Sequence, residues 1–532
     1  MAQISNQKLL LTSVFKPFSV DDAYGVKENV CELMHNQVTR RQGVFSVRSH
    51  NRSFGLTFMA ENMQVPTTVL DFPTQEDFVR ELNTGDYSHV GISFIVPNFD
   101  KAKRMAELVR RHAPRASIFL GGHGATIPDL KNLVPCDDIC RGEGVRWLRE
   151  KFAEPVDAPL QHPAMEVDCY RRLMGIPVPH NKAVLIPGVG CLNKCSFCCT
   201  SHFFDGYTSF FRGGEDLFAH MERIADRLKT REFFVLDENF LDDRPKVELL
   251  AALMESRNRP FLLEIFSSLR IVAAYDPMFL LKLGVRFVWI GVESRQELFD
   301  KVKGIDARQV IARLRRHGIS VLASTILFLD HHDEKGLRED VDYTLSLDPD
   351  FVQFMELSPL PGTRTYREMQ ESGRICQDVP WREWHGQDRI WFKHPHYSRD
   401  LSRKVLEEAF DRDFQELGPS LLRIAETRIL ALDLNAPAND LFLAHRLEDN
   451  WTAAREIRPL VHAMIKLAPN YLIRKKGEKI ARMFAAKLGP MTVSEKTSAL
   501  VATLIARLEN RKVRQGRWIH QPPTFLDRYR QD

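Results

Sequence analysis

The segment Cys191-Leu192-Asn193-Lys194-Cys195-Ser196-Phe197-Cys198 constrains the chain more than any other, because three thiols stand within eight residues directly after an apolar, Gly-ended run, Ala183 to Gly190. Three thiolates can hold three corners of a four-iron cubane and leave the fourth iron open to a ligand that is not cysteine. A zinc site is the other reading of clustered cysteines. Structural zinc takes four protein ligands, commonly in two separated pairs, and no second Cys/His pair with that spacing exists in the chain. Cys199 adjoins a ligand position, so its side chain is expected to point elsewhere, as packing or support.

At 532 residues the chain is too long for one core and is expected to form two to four domains. Its 44% hydrophobic and 27% charged residues are those of an ordinary globular protein, and a net charge of +4 is too small to argue for a nucleic-acid partner. Nine cysteines without framework spacing fit a reducing, cytoplasmic setting. Met1 to Phe18 has no h-region of a signal peptide, and no run of about 18 apolar residues suggests a membrane span. No internal repeat is present.

The first 155 residues alternate strand and helix. Lys8 to Phe15 reads as a buried strand, Ser53 to Asn62 as a helix, and Thr67 to Asp71 as a second strand. His89 to Val96 has the continuous apolar run of a parallel strand covered on both faces, and Asp100 to His112 is an amphipathic helix behind it. Ser117 to Leu120 empties into Gly121-Gly122-His123-Gly124-Ala125-Thr126. Asp137 to Cys140 leads to Arg141-Gly142-Glu143-Gly144 and another helix. Glycines at the carboxyl ends of strands let a ligand approach the backbone where open α/β sheets bind theirs. The expectation is a doubly wound, Rossmann-like domain over 1–155, followed by a Pro-rich linker over 156–182.

Further strands follow over 183–375: Phe233 to Leu236 ending Asp237-Glu238, Phe261 to Phe266 ending Ser267-Ser268-Leu269-Arg270, and Arg286 to Ile290 ending Gly291-Val292-Glu293-Ser294. Ile319 to Phe328 and Phe351 to Glu356 complete a partial (β/α)6 barrel. Polar residues gather at the strands' carboxyl ends, the active-site face of such barrels.

The C-x3-C-x2-C spacing, with Phe197 before the last cysteine, resembles the radical S-adenosylmethionine (SAM) superfamily. The resemblance implies a [4Fe-4S] cluster on Cys191, Cys195 and Cys198, with SAM on the open iron and reductive cleavage to a 5′-deoxyadenosyl radical. It implies contacts to SAM from Phe197, from Asp237 and Glu238 on the ammonium side, from Arg270 on the carboxylate, and from Glu293 and Ser294 on the ribose or methionine. Gly213-Gly214-Glu215 looks like the family's ammonium-binding Gly-Gly-Glu but comes too soon after Cys198, and is discounted. Upstream, Val90-Gly91-Ile92-Ser93, then Gly121, Gly122 and Thr126, then Gly142 and Glu143, resemble the cobalamin-binding domain that precedes many radical SAM enzymes. The Asp-x-His-x-x-Gly signature that supplies a cobalt ligand is missing, so the resemblance names no protein histidine for cobalt.

Between Cys376 and His396 lie Trp381, Trp384, His385, Trp391, Phe392 and His394, an aromatic strap or lid over 376–399. From Asp400 the periodicity is helical to residue 532. Tyr471 to Trp518 carries twelve Lys/Arg against three Asp/Glu, a segment that suits either a solvated helix face or an anionic membrane surface. The resemblance as a whole points to a cobalamin-dependent radical SAM methyltransferase acting on an unactivated carbon of a hydrophobic, lipid-like or other small-molecule substrate, served by a flavodoxin- or ferredoxin-type electron donor. Radical cyclisation or carbon–carbon coupling on the same scaffold, as in the anaerobic porphyrin ring cyclase, is the alternative. A corrinoid or iron–sulfur sensor is the reading from another class, and it has no need of a complete SAM cradle.

Overall fold

The structure is a computed structural model that describes residues 7–29, 36–178, 182–296, 298–516 and 521–530. Cys31 and the side chain of Cys169 lie outside the described residues, as does Trp518 at the end of the basic tail. The first sheet sets Thr67–Asp71, Leu9–Thr12, His89–Ser93, Ser117–Gly121 and Asp138–Ile139 side by side, all parallel. Alternate residues of one strand face opposite sides, which divides the apolar runs between two cores. Leu10, Val90, Ile92, Ile118 and Leu120 pack with Ala102, Met105 and Val109 of helix Phe99–His112. Leu9, Leu11, Val69 and Phe119 pack with Leu56 and Ala60 of helix Phe54–Glu61 and Leu148 of helix Gly144–Lys151. Both faces are covered, so the sheet is doubly wound.

The second sheet runs in sequence order: Lys182–Leu185, Glu232–Val235, Leu262–Ser268, Val285–Glu293, Ser320–Leu327 and Phe351–Glu356, six parallel strands. Its outward residues, among them Ala183, Phe233, Ile265, Val288 and Val321, share a core with Leu217, Leu250 and Ile311 of the surrounding helices. Its inward residues form an aromatic layer: Phe234 lies 5.6 Å from Phe266, which stacks at 5.1 Å on Trp289. This is the partial barrel, and the strands lengthen so that Ser267, Ser268 and Glu293 belong to strand ends rather than to loops.

Two parts depart from the sequence expectation. The stretch 156–182 is more than a linker, because Asp168–Leu173 and Ile176–Pro177 join Arg48–Asn51 in an antiparallel three-stranded sheet. The carboxyl-terminal region is not helical throughout. Helices Ser420–Leu430, Leu441–Lys466, Tyr471–Leu488 and Val493–Arg514 share one core, and then Phe525–Tyr529 returns to pair antiparallel with Thr67–Asp71 at the edge of the first sheet. An unpaired edge strand is prone to intermolecular pairing, and this return covers it. Of the two expectations for the aromatic segment, strap or lid, the structure shows the packed strap: Trp384 and Trp391 stack at 5.4 Å and are buried. No helix among the described residues is long and apolar enough to cross a membrane.

Candidate active site

Two cavities lie at the carboxyl edges of the two sheets. The first, about 210 Å³, is walled by Phe58, Met59, Phe119, Trp147, Phe203 and Phe210 and floored by backbone. Ser93, Gly121, Gly122, Gly142 and Glu143 line it, with unequal roles. Gly122 has φ +78, and a Cβ there would stand 2.6 Å from the Phe94 carbonyl oxygen, so only glycine fits. At Gly121 and Gly142 the nearest atom to an added Cβ is 3.7 and 3.9 Å away, which leaves bare backbone open to a ligand. The Glu143 carboxylate accepts the Val145 and Arg146 N–H groups at 2.6 and 2.9 Å, so it caps the helix that follows. Thr126 does not line the cavity; its hydroxyl donates to the His123 carbonyl at 2.7 Å and braces the loop.

The second cavity, about 560 Å³, receives Cys191, Cys195, Phe197, Cys198 and Cys199 on one side. An antiparallel pair, Gly188–Gly190 with Tyr207–Ser209, holds the ends of the thiol loop, and the Ser196 carbonyl accepts the Thr365 N–H at 3.0 Å. Burial raises the Cys191 and Cys195 thiols above their ordinary range, with Lys301 drawing Cys195 back down. Burial and the neighbouring Cys198 push Cys199 up to about 12, so it remains a neutral thiol.

Glu238 projects into the cavity, ringed by protein yet reachable from solvent; burial and then Asp237 raise its carboxyl above the usual range. Asp237 itself lies behind, accepting the Tyr207 hydroxyl at 2.7 Å and the Asn239 N–H at 3.0 Å, so it anchors the ribbon that carries the thiols. Glu293 sits at a register shift in its strand with φ +63, a strained position for a residue with a side chain. Its carboxylate folds back over Gly291, where a Cβ would lie 1.9 Å from Oε1, and meets Lys301 Nζ at 2.5 Å. Lys301 also stands 5.5 Å from the centre of the Phe197 ring. Burial would lower the Lys301 ammonium, but Glu293 and then Cys195 outweigh it and hold it above its ordinary value.

Besides Asp237, two more residues expected to contact SAM stand apart from the cavity. Arg270 turns outward, its guanidinium donating to the Asp300 carbonyl, and the cation in the cavity is Lys301. Ser294 is buried away from the cavity, its hydroxyl accepting the Gln296 N–H at 3.2 Å. Glu215 lies in the first turn of helix Gly214–Leu228 and does not reach either cavity. Lys301, Trp289 and Gln353 line the second cavity without having been singled out, since none belongs to a short motif, and His123 joins them from the glycine loop, where only its neighbours were assigned a role.

The cavities are neighbours through one loop: Gly121 and Gly122 line the first and His123 the second. Burial holds His123 down at about 4, so the ring is neutral, and it packs 4.8 Å from Phe203. The donor set suits the two groups that such a pair of sites implies. Three thiols beside a lysine can carry an anionic iron–sulfur cluster, and a backbone-floored apolar cleft can take a corrin with its nucleotide tail. The chain matches the B12 binding domain family over residues 56–150 and the Radical SAM superfamily over 185–344.

The molecule therefore joins a B12 binding domain to a radical SAM domain, an architecture that uses cobalamin, SAM and a [4Fe-4S] cluster. It is similar to the bacteriochlorophyllide d C-12(1)-methyltransferase of Chlorobaculum tepidum, 28% identical over 337 residues, which cover 58% of this chain and 71% of that one. An uncharacterized methyltransferase of Pyrococcus horikoshii is 23% identical over 63% of this chain and 81% of its own. In fold it resembles the radical SAM methyltransferase TsrM of Kitasatospora setae, solved with cobalamin and a [4Fe-4S] cluster bound, at a TM-score of 0.52 and 16% identity, covering 85% of this chain and 99% of that one. The same enzyme with tryptophan and a SAM analogue bound aligns at a TM-score of 0.50 and 18% identity, over 81% and 90% of the two chains.

Proposed function

We propose that this enzyme methylates an unactivated carbon of a hydrophobic small molecule held in the second cavity, between the thiol loop and the aromatic strap. The observation that carries the reading is the loop 121–124, which puts a glycine-floored cleft and a thiol-lined cavity back to back. When bound, the cluster and SAM supply a 5′-deoxyadenosyl radical and cobalamin supplies the methyl group. Cys191, Cys195 and Cys198 hold the cluster, and Cys199 supports the loop. Glu238 takes the SAM ammonium, while the Lys301–Glu293 pair, stacked on Phe197, offers one cation and one carboxylate for the remaining polar groups of SAM. Phe266, Trp289 and Trp384 enclose the substrate's apolar body and keep water from the reacting carbon. A small flavodoxin- or ferredoxin-type protein supplies the electron.

A second surface supports a lipid-derived substrate. Helix Val493–Arg514 leaves Val493, Leu500, Val501, Leu504 and Leu508 exposed, with Lys496, Arg507, Arg511 and Arg514 exposed beside them. An apolar stripe flanked by cations is complementary to an anionic membrane surface. The test is twofold. Anaerobic enzyme loaded with iron, sulfide and hydroxocobalamin should cleave SAM and produce S-adenosylhomocysteine and a methylated product from an extract of the source cells. The protein should also cosediment with anionic but not neutral phosphatidylcholine vesicles, and added salt should release it. SAM cleavage without methyl transfer sinks the methylation reading; absence of vesicle binding sinks the lipid surface alone.

A further inference from the structure

At the amino ends of its strands the barrel has a floor that none of the three cofactors explains. Helix Ser420–Leu430 lies across it and turns Leu421, Ile424 and Arg428 towards it, three residues spaced so as to share one helix face. Ile424 packs with Val38, Leu322 and Phe351, and with Phe287 and Trp289. A chamber of about 240 Å³ is left between them. Trp289 and Leu322 line its upper part; Lys182 and Ser320, the first residues of their strands, line its lower part. Trp289, stacked on Phe266, separates the chamber from the second cavity above. Below, the chamber shares Arg171, Lys182, Glu264 and Arg428 with a wider mouth of about 520 Å³.

Charges on the amino-terminal face of a barrel ordinarily serve stability, and several here are paired. Lys182 Nζ meets Glu264 at 2.5 Å, and Arg231 meets Asp449. Arg428 differs from them. It is ringed by protein yet reached from both chamber and mouth. Its guanidinium donates to the Gly318 carbonyl, and no carboxylate among the described residues stands within ion-pair distance of it. The carboxylates further off are engaged elsewhere. Asp350 accepts the Val321 N–H at 2.8 Å and the Thr427 hydroxyl at 2.7 Å, Glu264 holds Lys182, and Glu232 stands 3.8 Å from Arg286. Burial, and then Arg286, hold Arg428 down at about 10, so it is still charged at neutral pH. Two polar atoms at the floor are buried without a hydrogen-bond partner among the described residues: Arg286 Nε at the mouth and Ser320 Oγ in the chamber, the latter on a residue 2% exposed. The mouth as a whole sets six Lys or Arg against three Glu, a surplus of positive charge.

A secluded guanidinium is costly unless an anion completes it, and an apolar chamber directly above it favours an anion that carries an apolar tail. We propose that the barrel floor is a further ligand site, for an amphiphilic anion. A phosphate or carboxylate head pairs with Arg428 and Arg171, with the Ser320 hydroxyl beside it, and a short tail enters the chamber towards Ile424, Leu322 and Trp289. Arginine's planar fork suits either head, since both present two oxygens side by side. The site is separate from the cofactor cavities, and its ligand shares only Trp289 with whatever occupies the cavity above.

The probes are hexyl phosphate and hexanoate, with 1-hexanol as the tail alone and inorganic phosphate as the head alone, titrated calorimetrically into the full, cluster-loaded chain saturated with SAM. At least one of the two anions should bind once per chain, about tenfold tighter than hexanol or inorganic phosphate, a difference of about 1.4 kcal/mol. The tighter of the two names the head. Arg428→Gln and Arg171→Gln should each weaken that binding by about tenfold and leave hexanol binding unchanged, while iron content, cobalamin uptake and SAM affinity stay as in the parent. Arg171→Gln, in a strand outside the barrel, serves as the milder variant. The assignment is overturned if neither anion binds, if hexanol binds as tightly, if the anion displaces SAM, or if binding survives in both variants. Loss of iron or SAM affinity in both variants would show that the arginines only hold the barrel together, and would overturn it too. None of these readouts involves turnover, so the proposal can fail while methyl transfer stands, and the reverse.

Discussion

The two cavities sit within one molecule and are built by opposite means. The first is made by backbone: glycine loops at strand ends, an apolar wall, and polar side chains such as Glu143 and Thr126 that are spent on holding the loops. The second is made by side chains: thiols, two ion-paired or poised carboxyls and a lysine. A backbone-built cleft depends on what is missing from it, namely Cβ atoms, whereas a side-chain-built cavity depends on charges that burial has shifted. The first suits a large rigid cofactor recognised by shape; the second suits chemistry whose charges must be placed.

The sharpest test of that contrast lies in the thiol loop. Cys191→Ala, Cys195→Ala or Cys198→Ala should abolish the cluster and with it SAM cleavage, a loss of several orders of magnitude, while Cys199→Ala keeps about four irons per chain. Iron and visible absorbance after anaerobic reconstitution decide it. A cluster that survives loss of Cys195, or iron clearly above four, would break the assignment. Cobalamin uptake should be unchanged in all four variants, since none of those thiols reaches the first cavity.

The converse substitution is Gly122→Ala, which adds only a methyl group. Positive φ and the close Phe94 carbonyl should cost about 1–3 kcal/mol at the loop, lowering cobalamin affinity by about tenfold or more, with iron content close to that of the parent. Electron paramagnetic resonance of the Co(II) form should show no histidine nitrogen splitting, because no histidine among the described residues lines that cavity. Unchanged cobalamin binding in the variant would mean that the glycine floor does not recognise the cofactor.

The smallest effect concerns stability against pH. Glu356 goes from an ordinary 4.5 to about 8 on folding. The folded state therefore keeps a proton that the unfolded chain gives up, and stability falls as pH rises from about 5 to 8, by on the order of 1 kcal/mol per pH unit from this group alone. Glu356→Gln should flatten that slope in urea titrations. A slope that persists would place the proton on another group.

Much of this was legible in the residues. The continuous apolar run at His89 to Val96 read as a parallel strand, because a strand covered on both faces has no need of polar alternation. The thiol spacing and the glycine loops read as site elements because their chemistry is local: a cluster loop and a tight turn are specified within a few residues. Arg270 was misplaced because its strand runs on to Ser268 and its side chain then starts a helix that turns outward. Lys301 was missed for the complementary reason. It stands in a loop with no motif, and only the fold sets it over Phe197 and against Glu293.

What the amino-acid sequence determined by itself is the order of strands, the cluster loop and the glycine positions, all governed by interactions between near neighbours. The tertiary structure alone decided which carboxyls are capped, which are paired and which are sealed from solvent. Glu143 is consumed by a helix terminus, Asp237 by Tyr207, and Glu293 by a lysine, whereas Glu356 is sealed in by a strap about thirty residues further on and by Arg40 from the far end of the chain. The charge state of a buried group is set by burial and by partners distant in sequence, and neither is written in the residues beside it.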